Sequence, residues 1–577
     1  MVSYIKEYIR WLDSDCITDE ERRELAAIKE NDSEIKSRFF RPLEFGTAGL
    51  RGIMGAGINR MNTHVVKQTT QGLAELILRG GGEAAKRGVV ICHDCRKNSR
   101  EFALEAAEVM AGNGIFVRIF EDLRPTPELS FAIRHYGAIA GINITASHNP
   151  KEYNGYKVYW EDGAQLPPEH AEKVAAAMAG IDVLCGAKHM PLEEAEKQGL
   201  VEVLGEETDE RFLSKVLEQA IAPADVARGF EDLKIAYTPF HGTGYRLVPE
   251  ALRRVGVREL FCIPEQMQVD GSFPTVGSPN PEDAEGFELA IKYARQQNSD
   301  IIIGTDPDSD RLAVMAKSGG DYKMITGNQL GVLLLSYIIE ARKRKSALPE
   351  NAAAIKTIVS TEMARAVAEA NGVYMTDTFT GFKFIAEKIK EFEETGSYKV
   401  IFSFEESIGY MVGDFVRDKD AVTGAVLVAE MAACYRLRGM SLLDALEELY
   451  KRHGYYAEKT VNLVMPGLDG LENMKRLMSS LRKAPLNTIG GRKVVRVRDY
   501  LEGTARTAGG AREPLPIKGS NVLYFELEDG SSFIVRPSGT EPKIKVYNLV
   551  RGESKEECAE KIKAAMKEID DIKKDYM

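Results

Sequence analysis

Three carboxylates stand at alternate positions in Asp306-Pro307-Asp308-Ser309-Asp310-Arg311, directly after the apolar strand expected over 300–304. Side chains at alternate positions of an extended segment point the same way. Oxygen-only ligands of this kind suit a hard cation. An EF-hand also begins Asp-x-Asp-x-Asp, but here Arg311 takes the place of its glycine and Lys317 that of its closing glutamate, so the calcium reading fails. Three carboxylates are too few for an all-protein cage, and Mg²⁺ completed by water or phosphate oxygen fits better. The plain alternative is a solvated acidic turn; against it, three like charges following a buried strand repel without a counter-ion.

A second loop, Thr145-Ala146-Ser147-His148-Asn149-Pro150, runs on into Lys151-Glu152-Tyr153-Asn154-Gly155-Tyr156-Lys157. Its small residues leave Ser147 accessible at a strand end. A Ser-His-Asp hydrolase draws its histidine and aspartate from elsewhere in the chain. His148 adjoins Ser147 and is expected to have difficulty turning onto its hydroxyl, and no Gly-x-Ser-x-Gly elbow is present. An alternative role for Ser147 is to carry a phosphoryl group, with a charge of about −2 at neutral pH. At about 4 Å each carboxylate would repel each of those charges by roughly 4 kcal/mol at an effective dielectric of about 20. A divalent cation between them removes the conflict, so each loop supplies what the other lacks. Alone, the segment reads equally well as a turn ahead of Pro150.

A third loop is Phe404-Glu405-Glu406-Ser407-Ile408-Gly409. Glu405 and Ser407 can face one side, and an acceptor plus a hydroxyl suits two sugar hydroxyls; the alternative is a helix N-cap at Ser407. In the fourth, Arg536-Pro537-Ser538-Gly539-Thr540 followed by Lys543 and Lys545, the arginine offers a bidentate fork to phosphate. Ser538, Gly539 and Thr540 form an anion nest, or else an ordinary β-turn. Cys92-His93-Asp94-Cys95 has zinc-knuckle spacing but no second Cys-x-x-Cys to complete it. His241, in Phe240-His241-Gly242-Thr243-Gly244, reads as closing a strand-end turn. There is no Walker loop and no Gly-x-Gly-x-x-Gly after a strand, so no nucleotide cofactor is implied.

The elements that must position these loops recur. A helix near Pro127–Tyr136, with Thr126 as N-cap and Pro127 at its first position, precedes the strand Ile139–Ile144 and the Ser147 loop. A helix carrying Phe287, Ala290, Ile291 and Ala294 on one face precedes the strand over 300–304 and the aspartate loop. A third, with Phe382, Ile385, Ile389 and Phe392, precedes Val400–Phe404 and the Glu405 loop. Helices alternating with fully apolar strands indicate parallel sheets, and ligands of such sheets bind beyond the carboxyl ends of the strands. The expectation is therefore three similar mixed α/β domains and a smaller C-terminal α+β domain around one central cleft. A helical arm over 1–40, with helices Tyr4–Leu12 and Asp19–Ile28, leads through a glycine-dense loop, Leu43–Asn59. The expected domains cover 41–215, 216–320, 321–455 and 456–577.

At 577 residues the chain has room for about four domains. Its 44% apolar and 28% charged residues exclude disordered and collagen-like classes. A net charge of −11 is opposite in sign to that of proteins living on nucleic acid or anionic membrane. Any phosphate this protein binds must therefore be held by a local basic pocket and not by an overall field. Seven cysteines do not make a disulfide framework and point to a reducing cytoplasm. Met1–Asp15 has no apolar core of a signal peptide, and the longest apolar run, Leu330–Ile339, is short of the roughly 20 residues that span a bilayer.

From about residue 40 to 550 the chain resembles the α-D-phosphohexomutases, the phosphoglucomutase/phosphomannomutase superfamily. Thr145–Pro150 is similar to its phosphoserine loop, Asp306–Arg311 to its metal loop, Glu405–Gly409 to its sugar loop and Arg536–Thr540 to its phosphate loop, in the family's order. Phe45–Gly52, Thr380-Gly381-Phe382-Lys383 and Arg417-Asp418-Lys419-Asp420 resemble the branch holding bacterial phosphoglucomutases, with phosphopentomutase-like and glucose-bisphosphate-synthase-like relatives. Pro307 and Ser309 stand where many members have glycine, and Ile408 follows the sugar-loop serine; these departures bear on substrate identity.

The resemblance implies interconversion of α-D-glucose 1-phosphate and glucose 6-phosphate. Phosphorylated Ser147 and Asp306, Asp308 and Asp310 would hold Mg²⁺, and glucose 1,6-bisphosphate would be intermediate and activator. Arg311 would offset charge on the transferring phosphoryl group. Lys157 and His148 are candidates for proton transfer or charge stabilisation. Arg536, Ser538, Gly539 and Thr540 would hold the unreacting phosphate and Glu405 and Ser407 the sugar hydroxyls. Thr380, Gly381, Lys383 and Lys419 would be supporting substrate contacts, and Arg51 would touch the phosphoserine region. Phosphomannomutase or phosphopentomutase activity is the sister reading, and a phosphatase passing the phosphate to water is another class. A phosphosugar-binding protein would need neither Ser147 nor the three aspartates. Sugar phosphates are the expected partners of a monomer or homodimer that closes over its bisphosphate.

Overall fold

A computed structural model describes residues 3–46, 49–465, 470–538 and 543–576. The first sheet runs in spatial order Gly49–Ile53, Tyr153–Trp160, Ala140–Ile144, Val89–His93, Val117–Phe120, Val201–Leu204. Its last four strands are parallel, and Tyr153–Trp160 is antiparallel to both neighbours. In the second sheet Ile301–Thr305, Lys234–Thr238 and Glu259–Cys262 are parallel, while Leu312–Ser318 runs antiparallel between Ile301–Thr305 and Asp321–Ile325. In the third, Tyr374–Thr378, Ala352–Thr357 and Lys399–Glu405 are parallel, and Gly409–Met411 turns back against Lys399–Glu405.

One plan thus occurs three times. A parallel strand that is buried throughout, such as Ala140–Ile144 or Ile301–Thr305, ends in a reversal to an antiparallel neighbour. The reversals are the loops carrying Ser147, Asp306–Asp310 and Glu405–Ser407. Burial on both faces explains the unbroken apolar runs. The antiparallel partners are the part that alternation of helix and strand did not announce.

The fourth domain is an antiparallel sheet whose main path runs Tyr455–Val464, Lys543–Gly552, Ser532–Pro537, Leu523–Leu527, Arg492–Asp499, Thr504–Thr507, Arg512–Pro514. Helices Gly470–Lys483 and Lys555–Tyr576 cover one face, where Met474, Leu477, Ala565 and Ile569 meet Phe525, Phe533 and Val535. The other face puts Tyr500, Val522, Tyr524 and Ile534 against Ile358, Val359 and Phe379 of the third domain. The second and third domains share one continuous core, from Ile235 and Ile303 through Leu333 to Phe404 and Val426. Among the described residues no helix is long and apolar enough to cross a membrane.

Several sequence expectations are corrected. The arm has three helices, Ser3–Leu12, Asp19–Ala27 and Asp32–Phe39, where two were expected. It packs on the first domain of its own chain: Trp11 is fully buried and meets Phe39 and His64 edge-on, with ring centroids 5.7 and 5.2 Å away. The glycine-dense loop contains the strand Gly49–Ile53. Phe287 belongs to a 3₁₀ turn, Ala284–Phe287, ahead of the helix Glu288–Gln297. The helix before the Ser147 strand begins at Thr126, with Pro125 in the cap position and Pro127 in the first turn; the Thr126 hydroxyl is spent elsewhere, as shown below.

Candidate active site

The Asp306–Arg311 segment is a tight turn and not an extended loop: Ser309 N donates to Asp306 O at 2.9 Å and Ser309 sits in the left-handed region at φ 52°. The carboxylates converge all the same. One oxygen from each of Asp306, Asp308 and Asp310 lies within 4.8 Å of the others, and all three residues are buried. Neighbouring segments tie this turn down by its backbone. Thr126 N of the first domain donates to Asp308 O at 2.9 Å, Ala421 N of the third to Ser309 O at 3.2 Å, and Leu312 N to Ile408 O at 3.0 Å. Within its own domain Thr243 N donates to Pro307 O at 2.8 Å. Gly242 is required there, because a Cβ would lie 2.4 Å from Pro307 Cα.

Ser147, also left-handed at φ 52°, reaches across from the first domain, and its Oγ donates to Asp306 Oδ2 at 2.8 Å. His148 Nδ1 lies 3.2 Å from that Oγ, which overturns the expectation that adjacency keeps the ring off the hydroxyl; the αL turn at Ser147 brings the two side chains together. Burial, with Arg311 and Arg51 nearby, pushes His148 well below the usual histidine range. Arg51 Nη1 donates to Asn149 Oδ1 at 2.8 Å, beside the serine.

Lys157 Nζ is 2.7 Å from Asp308 Oδ2 and 3.6 Å from Asp310 Oδ2; Lys419 Nζ is 3.1 Å from Asp310 Oδ2 and 3.0 Å from Asp418 Oδ1. Burial and the two neighbouring carboxylates raise Asp306 far above the carboxylate range. Burial acts the same way on Asp308 and is the largest single influence there, but the Lys157 ammonium and hydrogen bonds from Asp306, Lys157 and Thr126 together outweigh it and hold Asp308 low. Asp308 Oδ1 and Asp310 Oδ1 are buried without a hydrogen-bond partner. Orphaned carboxylate oxygens are costly, and these two, with Asp306, fit a hard divalent cation.

The Glu405 loop joins the same cleft through the bridge Arg311↔Gly409. It is a hairpin reversal, so the helix-cap reading of Ser407 does not hold. Glu405 Oε1 accepts from Gly381 N at 2.6 Å. Burial raises its pKa to about 7, against the pull of Lys419. Thr380 Oγ1, next in chain, is buried and unpartnered, and Lys383 Nζ stands 4.8 Å from the Phe384 ring centroid. Of the fourth loop, Arg536 and Ser538 are described and Gly539 and Thr540 lie outside the described residues. Arg536 Nη1 donates to Tyr547 OH at 3.5 Å. Lys545, in the next strand, feels Glu406 and Glu282, which brings this hairpin to the rim of the cleft.

Sequence reasoning missed several residues here. Thr126 Oγ1 donates to Asp308 Oδ2 at 2.9 Å and accepts from Asn143 Nδ2 at 2.8 Å. Asp418 accepts from Tyr159 OH and Gln165 Nε2, both at 2.9 Å, and so steadies Lys419. Glu282 faces Arg311 at 3.8 Å. Asp94 and Arg96 were hidden by the zinc-like spacing; Cys92 itself is packed in the core with Val90 and Tyr159. His241 has both ring nitrogens engaged, with Gln268 O and Thr275 Oγ1 at 2.8 Å each.

Sequence models of the phosphoglucomutase/phosphomannomutase family match in order. Alpha/beta/alpha domains I, II and III match residues 42–183, 210–319 and 326–453, and the C-terminal domain 490–571. A phosphoglucomutase of Staphylococcus saprophyticus is 34% identical over 538 residues, covering 93% of this chain and 95% of its own. A Schizosaccharomyces pombe protein named "Probable phosphoribomutase" is 34% identical over 569 residues, covering 96% and 95%. The open form of Paramecium parafusin, a phosphoglucomutase, shares the fold with a TM-score of 0.66 at 16% identity, over 92% of this chain and 94% of its own.

Proposed function

The chain belongs to the phosphoglucomutase/phosphomannomutase family, whose enzymes carry out intramolecular phosphoryl transfer, and from that premise we propose that it interconverts α-D-glucose 1-phosphate and D-glucose 6-phosphate through phosphorylated Ser147. The observation that carries this reading is Ser147 Oγ at 2.8 Å from Asp306, at the mouth of three buried carboxylates, two of which, Asp308 and Asp310, carry an oxygen without a partner. Mg²⁺ held by Asp306, Asp308 and Asp310 would neutralise charge between the carboxylates and a phosphoryl group.

The residues divide the work as follows. A sugar hydroxyl oxygen forms a bond to the phosphorus on Ser147, the bond from phosphorus to Ser147 Oγ breaks, and the proton lost by the sugar hydroxyl is matched by one gained at Ser147 Oγ, which is released as the free serine hydroxyl. The neutral His148 imidazole is placed to exchange a proton with the serine oxygen at Nδ1, and Lys157 offers a second donor near the carboxylates. Arg311 counters charge on the moving group. Glu405 and Ser407, backed by Gly381, Thr380 and Lys383, grip hydroxyls of the sugar. Arg536 and Ser538, with Gly539 and Thr540, bind the phosphate that is not reacting, while Arg51, beside Ser147, and Lys419, against Asp310, supply positive charge at the transferring end. The bisphosphate turns end for end, and its second phosphate returns to Ser147. Catalysis of this kind is positioning and charge neutralisation.

Glucose is favoured by relatives named phosphoglucomutase that align over more than nine-tenths of both chains. A pentose phosphate is the second reading, favoured by the equally similar relative named for phosphoribomutase. A ³¹P NMR time course decides between them. The protein would receive Mg²⁺, a trace of glucose 1,6-bisphosphate and equimolar glucose, mannose and ribose 1-phosphates. The glucose signal is expected to move first into the 6-phosphate without inorganic phosphate. Earlier loss of another sugar would replace the substrate, and growth of inorganic phosphate alone would replace mutase by phosphatase. Ser147→Ala is expected to abolish turnover with an unchanged Tm.

A further inference from the structure

Two motifs that the reaction leaves unused meet behind the serine. The strand Val89–His93 runs out into Asp94-Cys95-Arg96, and Arg96 is 3% exposed. Its guanidinium donates to four carbonyls of the serine loop: Ser147 O at 2.6 Å, Pro150 O at 2.8 Å, Tyr153 O at 3.0 Å, and Asn149 O. Its Nε faces Asp94 Oδ2 at 3.2 Å. Asp94 accepts from Thr145 Oγ1 at 2.6 Å, and that oxygen accepts from Ser147 N at 2.8 Å. Asp94 and Arg96 together therefore hold the peptide groups on both sides of Ser147 in its left-handed turn.

The outer face of this clamp is closed by the second domain. Phe273, buried and left-handed at φ 49°, lies over the Arg96 guanidinium, 5.2 Å from ring centroid to carbon. Gly271 allows the approach, since a Cβ there would stand 2.7 Å from Arg96 Cα. The loop carrying both is fastened by His241, through Gln268 O and Thr275 Oγ1 at 2.8 Å and Asp270 N to His241 O at 3.4 Å. His241 adjoins Gly242 and Thr243, which underlie Pro307 of the aspartate turn.

A continuous path therefore runs from Ser147 through Arg96, Phe273 and His241 to the aspartate turn, and it crosses the boundary between two domains. We propose that Arg96, capped by Phe273, is a positioning residue that keeps the Ser147 oxygen in register with Asp306, Asp308 and Asp310. This rests on the reading of Ser147 as phosphoryl carrier. Lysine keeps the charge but cannot fork to four carbonyls, and a shift of about 1 Å at a reacting atom costs on the order of 100-fold in rate.

The test uses the full chain with Arg96→Lys and Phe273→Leu, beside wild type and Ser147→Ala. Arg96→Lys is expected to lower kcat about 100-fold, with KM within about twofold and the folded fraction retained. Phe273→Leu, which keeps an apolar side chain there, is expected to lower kcat about tenfold in the same pattern. Both are expected to raise the rate at which phosphorylated Ser147 loses phosphate to water relative to its rate of transfer to sugar, read by intact mass. A clamp that only stabilises the fold would lower Tm and leave kcat per folded molecule and that ratio unchanged, and this result overturns the proposal. If Arg96→Lys does not fold, Phe273→Leu alone decides: unchanged kcat and ratio reject the clamp. Activity in Ser147→Ala would instead remove the carrier reading itself.

Discussion

Thr126 donates its hydroxyl to a carboxylate of the second domain from a helix of the first. With Lys157 it fixes which oxygen of Asp308 is occupied and leaves Oδ1 without a partner. Hydrogen bonds to the outer oxygens of metal ligands typically set affinity by about 10–100-fold. Thr126→Val is therefore expected to weaken Mn²⁺ binding, read by electron paramagnetic resonance, by about tenfold or more; affinity equal to wild type would reduce Thr126 to a packing residue. Glu405 gives a pH-dependent counterpart. Burial lifts its pKa to about 7, so it is protonated below that value and an acceptor for sugar hydroxyls above it. KM is expected to fall as pH rises through 7, and Glu405→Gln to flatten the change. Taking the difference between the two proteins cancels the titration of the substrate phosphate, and parallel profiles would remove Glu405 from sugar binding.

Helix Ala421–Leu437 starts beside Lys419 and is buried along nearly its whole length. Its N-cap, Asp420, accepts from Val422 N and Thr423 N at 2.9 Å and from Thr423 Oγ1 at 2.5 Å. Burial still dominates and raises Asp420 to about 6 from 3.8. The folded state then holds the proton more tightly than the unfolded one. The stabilisation this gives is complete below 3.8 and is lost as pH rises through about 6, roughly 3 kcal/mol in all. Asparagine caps equally well and cannot titrate. Asp420→Asn is expected to gain Tm on wild type as pH rises across that window, and a constant gap would show that the carboxylate is not penalised. At this scale much of the architecture was legible. Strands such as Ala140–Ile144 and Ile301–Thr305 are apolar because both faces are covered, and the chemistry follows at their ends. Gly49–Ile53 was not legible, because its glycines read as a loop. A Cβ at Gly49 would stand 1.9 Å from Tyr156 O, so the close pairing itself demands glycine. The bend of the aspartate turn depends on a left-handed Ser309, and the Thr126, Asp418 and Arg96 contacts join residues tens to hundreds of positions apart, which no local spacing encodes.

The cleft is assembled from loops of separate sheets, yet those sheets are not equally independent. Helix Ala421–Leu437 packs into the core that the second and third domains share, and Gly229 lies so close to it that a Cβ would stand 2.5 Å from Ala433 O. Neither domain can expose its half of that core without exposing the other's. The fourth domain has its own core and meets the third through a smaller apolar joint. Beside that joint Lys356, fully buried, lies 2.8 Å from Glu362 and 3.0 Å from Asp377, and Arg365 closes the ring with the same two carboxylates. Those charges are satisfied inside the third domain, so they do not hold the fourth. Apolar area buried from water dominates cooperativity. In hydrogen exchange at rising urea, peptides from Ile301–Thr305 and Ala352–Thr357 are therefore expected to lose protection at one midpoint, and peptides from Leu523–Leu527 and Ser532–Pro537 at another. Distinct midpoints for the second and third domains would mean that their shared core does not couple them. Separate melting of the fourth would have a functional consequence: the loop of Arg536 and Ser538 could leave the cleft while the serine, the aspartates and Glu405 stay assembled, giving sugar phosphates a way in and out.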